Sequence, residues 1–123
     1  MPVHTILVED SQTIRDTLVP TLEELANVKV VIMAATASEA KKALVALNGE
    51  WRLIVVDIFL AGGSGLDVLE AVKTRSREQY AFVLSNYATA EMVRRCSELG
   101  ADAVFDKSTE LDAFLDRCIE LSS

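Results

Sequence analysis

Five short apolar runs alternate with five stretches of helical apolar spacing, which predicts an α/β fold: a five-stranded parallel sheet with helices on both faces. Two observations strengthen that reading. The run Leu53-Ile54-Val55-Val56 is too short for a helix and carries no polar alternation, as a strand buried on both faces requires. It ends in a carboxylate, Asp57, and then in the turn chemistry of Gly62-Gly63-Ser64-Gly65. In open α/β sheets the carboxyl ends of the strands are where ligands bind.

Each element has its own signal. Val3 to Val8 reads as the first strand and runs into Glu9-Asp10. Ser11 is placed to cap a first helix with Leu18, Leu22 and Leu25 on one face; Pro20 inside it is expected to kink or split it. Lys29 to Met33 gives the second strand. Ser38 then caps a second helix striped by Ala40, Ala43, Leu44 and Leu47, which Asn48-Gly49 stops. The third strand is Leu53 to Asp57, and the third helix runs from about Gly65 to Arg75 with Leu66, Leu69 and Val72 inward. Ala81 to Leu84 forms strand four, followed by Ser85-Asn86-Tyr87. The fourth helix buries Met92, Cys96 and Leu99 and ends at Gly100. Ala103 to Phe105 is a short fifth strand leading into Asp106-Lys107-Ser108, and Leu111, Phe114, Leu115 and Cys118 mark the last helix.

Composition narrows the function. At 123 residues the chain fits one domain, residues 1–123, with no linker, repeat or low-complexity tract. A net charge of -7 argues against nucleic acid or an anionic membrane as a direct partner and favours cations and basic protein surfaces. Two distant cysteines on inward helix faces read as small core residues, not a disulfide framework. No apolar stretch reaches a membrane span, and the first strand begins at once; the expected compartment is the cytoplasm.

The topology gathers Glu9, Asp10, Asp57, Ser85 and Lys107 at one edge. Singly, Asp10 could cap a helix, Ser85 a turn, and Lys107 could be a surface charge. Together, three carboxylates repel one another unless a cation sits among them, and hard oxygen ligands suit magnesium better than zinc. Lysine and hydroxyl beside that cation suit an anion. A carboxylate nucleophile with these partners describes phosphoryl transfer onto Asp57. Gly62-Gly63-Ser64-Gly65 matches neither a Walker loop nor a dinucleotide fingerprint, and His4 is no candidate for catalysis.

On these residues the sequence resembles the receiver domains of two-component response regulators, the CheY-like family, over the whole chain. Glu9 and Asp10 match the family's acidic pair, Asp57 its phosphoacceptor, Ser85 its switch hydroxyl, Lys107 its lysine, and Gly65-Leu66 the start of its third helix. The resemblance implies a flavodoxin-like (βα)5 fold with strand order 2-1-3-4-5 and dependence on Mg2+, with the backbone carbonyl of Phe59 as a further ligand. It also implies a histidine kinase or histidine phosphotransfer protein as donor and a downstream protein or output domain as target. The implied function is a phosphorylation-activated switch, a phosphoprotein that is no enzyme beyond its own phosphorylation and dephosphorylation.

Departures from the family pattern concern signal relay. Ala61 stands where proline is frequent, Ser108 follows the lysine in place of proline, and Val104 replaces the usual switch aromatic. Tyr87, two residues after Ser85, becomes the nearest aromatic to the switch. Two rival readings compete: an aspartate-nucleophile phosphatase of the haloacid dehalogenase type, and a non-phosphorylated scaffold on the same fold. The first wants a second Asp where Phe59 stands.

Overall fold

Strand pairing sets the frame. The computed structural model describes residues 2–86 and 88–122. In it β1 (Val3–Val8), β2 (Val28–Ala34), β3 (Leu53–Val56), β4 (Tyr80–Ser85) and β5 (Ala103–Asp106) form one parallel sheet in the order β2-β1-β3-β4-β5. The crossovers are α1 (Gln12–Leu25), α2 (Ala37–Leu47), α3 (Gly65–Ala71), α4 (Ala90–Glu98) and α5 (Leu111–Leu121).

Strand alternation divides the core into two layers. Ile6, Val8, Ile54, Val56, Ala81 and Val83 point to one face and meet Ala40, Val68, Leu69 and Cys96 of α2, α3 and α4. Leu7, Leu53, Val55, Phe82 and Leu84 point to the other and meet Leu18 and Leu22 of α1 and Phe114 and Cys118 of α5. All four β3 residues are buried, which is why its sequence shows no polar alternation. Val104 packs with the first layer and Phe105 with the second, where it meets Phe82 and Phe114 edge-on.

Several local expectations are corrected. Helix α1 runs unbroken through Pro20. Pro20 and Asp16, whose carbonyl loses its helical N–H partner, are both exposed. Leu25 is 60% exposed, because the core position at the end of α1 is taken by Ala26. Thr36, not Ser38, caps α2: it is extended, and its hydroxyl accepts the Glu39 N–H at 3.1 Å. Asn48 stops that helix in the left-handed region, as expected. Helix α3 ends at Ala71, short of Arg75, because the Arg75 guanidinium folds back onto the carbonyls of Val72, Gln79 and Gly100 and pairs with Asp102. Leu111, at the first position of α5, is half out of the core.

Candidate functional site

Ladder bonds continue one residue past the strands and so carry the polar residues to a common edge. The Glu9 N–H donates to Ala34 O, Asp57 N–H to Val8 O, and Lys107 N–H to Ser85 O, at 2.9, 2.9 and 3.1 Å. Glu9, Asp57 and Ser85 are buried there, whereas Asp10, next in the turn, is exposed. Carboxylate oxygens of Glu9, Asp10 and Asp57 lie within 4.8 Å of one another. They line a cleft of about 400 Å3 with Ser11, Phe59, Asn86 and Lys107.

Asp57 is held at both oxygens. Its Oδ1 accepts the Ser85 hydroxyl at 2.9 Å and the Phe59 N–H at 3.2 Å; its Oδ2 accepts the Lys107 ammonium at 2.9 Å. The same ammonium donates to Glu9 Oε1, while Glu9 Oε2 accepts the Ser11 N–H at 3.1 Å. Burial pushes the Glu9 carboxyl above its ordinary range, and the bonds from Lys107 and Ser11 offset that only in part. Burial also disfavours the Lys107 charge, but Glu9 and Asp57 outweigh it and hold its pKa above the usual lysine value. The ammonium is therefore firmly charged at neutral pH.

The sequence pattern matches the family description "Response regulator receiver domain" over residues 5–118. This chain belongs to the response regulator receiver domain family. A receiver domain is a signalling module switched by phosphorylation. Among curated proteins, a cyclic di-GMP phosphodiesterase of Thermotoga maritima is 30% identical over 107 residues, which are 87% of this receiver domain and 27% of that protein. Among solved structures, the non-phosphorylated HemR receiver domain from Leptospira biflexa is 30% identical with a TM-score of 0.80, covering 98% of this chain and 94% of that one. A LuxR-family DNA-binding response regulator from Staphylococcus aureus reaches a TM-score of 0.85 at 15% identity, covering 98% and 99% of the two chains; that likeness concerns the fold.

The carboxyl edge of the sheet thus brings together Glu9, Asp10, Asp57, Ser85 and Lys107, the five residues that the sequence places there. Phe59 stands at the rim with 54% of its surface exposed. Val104 is half-buried beside Val83 and brings no ring to the switch. Tyr87 lies outside the described residues. Ser108 closes the turn after Lys107 by donating its N–H and hydroxyl to Asp106, holding the Asp106 carboxyl below its ordinary range. Sequence reasoning missed Arg15, whose Nε donates to the Glu9 carbonyl at 2.6 Å and ties α1 to the acidic turn. The only signal was its place one turn into a helix that starts beside two carboxylates.

A larger concavity, about 600 Å3, lies at the amino edge of the sheet around His4, Trp51 and Gln79. Glu50, Glu78 and Arg52 are among its lining residues, but among the described residues the group of three carboxylates close enough to share a cation is at the smaller cleft. No described helix is long and apolar enough to cross a membrane.

Proposed function

We propose that this receiver domain takes a phosphoryl group onto Asp57 from a phosphohistidine of a kinase or phosphotransfer protein, and passes the change to a downstream protein or output domain. The observation that carries the reading is the Asp57 carboxylate itself. It sits at the end of the most buried strand, with a hydroxyl and an ammonium already on its two oxygens and two further carboxylates beside it.

In the transfer, an Asp57 oxygen attacks phosphorus and the phosphorus–nitrogen bond breaks, its electron pair returning to the imidazole. Lys107 then pairs with a phosphoryl oxygen, and Ser85 donates its hydroxyl to another. The donor set fits Mg2+: three carboxylates on one edge, no histidine or cysteine among them, and the Phe59 carbonyl as a further ligand by analogy with the family. When bound, the cation supplies neutralisation of the carboxylates and of the transferring group. Glu9, Asp10 and Asp57 would hold it. The net charge of -7 supports a protein partner over direct nucleic-acid binding, and the reading places the domain in the cytoplasm.

The domain spans 27% of its curated relative, and we read residues 1–123 as one regulatory unit whose only catalysis is its own phosphorylation and dephosphorylation. A haloacid-dehalogenase-type phosphatase would need a carboxylate where Phe59 stands. Treating the protein with Mg2+ and acetyl phosphate and weighing it intact tests the proposal. A gain of roughly 80 Da, one phosphoryl group, is expected in the wild type and none in Asp57→Asn. An undiminished gain in the variant refutes it.

A further inference from the structure

Asp10 is the one residue of the acidic turn that nothing holds directly. Before it, the Glu9 N–H donates to Ala34 O, and the buried Glu9 carboxylate accepts from Lys107 and the Ser11 N–H. After it, Ser11 caps α1: its hydroxyl accepts the Ile14 N–H at 3.3 Å and its carbonyl the Arg15 N–H at 3.0 Å. Among the described residues, neither the N–H nor the carboxylate of Asp10 has a hydrogen-bond partner, and the residue is exposed. What fixes it is one peptide away. The Glu9 carbonyl and the Asp10 N–H belong to a single rigid peptide plane. Arg15, half-buried one turn into α1, donates its Nε–H to that carbonyl at 2.6 Å. Rotation of the plane would swing the Asp10 Cα–Cβ bond, and with it the carboxylate, away from the oxygens of Glu9 and Asp57.

We propose that Arg15 is a positioning residue for the cation: its bond to the Glu9 carbonyl aims the Asp10 carboxylate into the cleft. This rests on the reading of the cleft as a cation-dependent phosphoacceptor site. The charge of the guanidinium works the other way. A positive group at the acidic turn repels an incoming divalent cation, so by charge alone Arg15 weakens cation binding. Bond and charge therefore predict opposite signs when Arg15 is replaced, and they can be separated. Glutamine carries its amide nitrogen as many bonds from Cα as the arginine Nε, so it keeps a donor at that place and loses the charge. Methionine has the length and loses both. A tether that only held α1 in place would lower the stability of the fold and leave cation affinity alone.

Calorimetric titration of Mg2+ into the wild type, Arg15→Met, Arg15→Gln and Asp10→Asn tests this, with urea unfolding of each as the measure of fold. Arg15→Met is expected to bind Mg2+ about fivefold more weakly, the factor that one net hydrogen bond is worth. Arg15→Gln should stay within about twofold of the wild type, although it too lacks the charge. Tighter binding by both variants would show that Arg15 acts by charge alone. Equal weakening in both, or unchanged binding by Arg15→Met, would show that a donor at that place does nothing for the cation. Each of these results overturns the proposal while Asp10→Asn stays impaired and the cation site stands. A wild type and an Asp10→Asn variant that bind alike overturn the site reading itself. Should Arg15→Met fail to fold, NMR of the wild-type Arg15 Nε–H decides: slow exchange with water supports the bond, and exchange as fast as in a free arginine overturns the proposal.

Discussion

Gly65 sets the tightest steric limit around Asp57. A Cβ there would stand 2.3 Å from the Asp57 carbonyl oxygen and 2.7 Å from the Ile58 Cα, both backbone atoms that cannot swing aside. Its N–H also donates to Ile58 O at 2.9 Å, so helix α3 starts pressed against the strand end that carries Asp57. Gly65→Ala is expected to cost about 3 kcal/mol in urea unfolding. Gly49→Ala, where the backbone is left-handed but nothing lies within 4 Å, should cost only about 1 kcal/mol. Equal losses for the two would show that backbone conformation, not contact with Asp57, sets the penalty. That Glu9, Asp10, Asp57, Ser85 and Lys107 meet at one edge was legible in the sequence because each lies within two residues of the end of an apolar run. The Gly65 contact and the Arg15 bond to Glu9 were not, since both join a side chain or its absence to a backbone atom, and the backbone path is invisible in residue types.

At the scale of elements, what the sequence hid follows the same physics. Ser38 and Thr36 are both good caps, and the choice went to the residue that is extended where the Glu39 N–H points. Pro20 looked like a breaker, yet it lies on the exposed face of the helix, as does Asp16, whose carbonyl loses its helical N–H partner. Pro20→Ala should therefore restore a helical bond without repacking anything and raise stability by about 1–3 kcal/mol. A neutral or destabilising result in chemical denaturation would mean that α1 is shaped around the proline. Relay is the element-scale question. With Val104 in place of a ring, Ser85 is the group expected to follow the phosphoryl oxygens in the proposed function, and Asn86, whose carbonyl lies 3.2 Å from the Ser85 hydroxyl, is expected to move with it. A shift needs two states with different contacts, and those contacts are here at Ser85. Beryllofluoride, a phosphoryl mimic, should shift the amides of residues 86–91 most. Changes centred on Val104 and Phe105 with that segment still would contradict this route.

The whole molecule is two apolar layers on one sheet, with one cysteine in each. Cys96 lies under α4 and Cys118 under α5, both fully buried and unpaired. Burial raises both thiols, and Cys118 is pushed up to about 12. An unfolded cysteine ionises near pH 8.5. Between those values the unfolded chain gives up a proton that the folded one keeps, so stability falls as pH rises through that window. Lys107 acts in the same direction, since its raised pKa contributes stability that is lost as pH climbs through it. Urea midpoints are expected to drop from about pH 8 to about pH 10.5, and to drop less in Cys118→Ala. Identical slopes for both proteins would remove Cys118 from the account. In the proposed function, this architecture, with its two cores and polar edge, holds the Asp57 carboxylate where a phosphoryl group can reach it. Borohydride reduction after phosphodonor treatment, followed by peptide mass spectrometry, tests that most directly, because it converts a phosphorylated aspartate to homoserine. The account predicts homoserine at position 57 alone, and only when Mg2+ was present. Homoserine at Asp10 or elsewhere, with Asp57 intact, would contradict it.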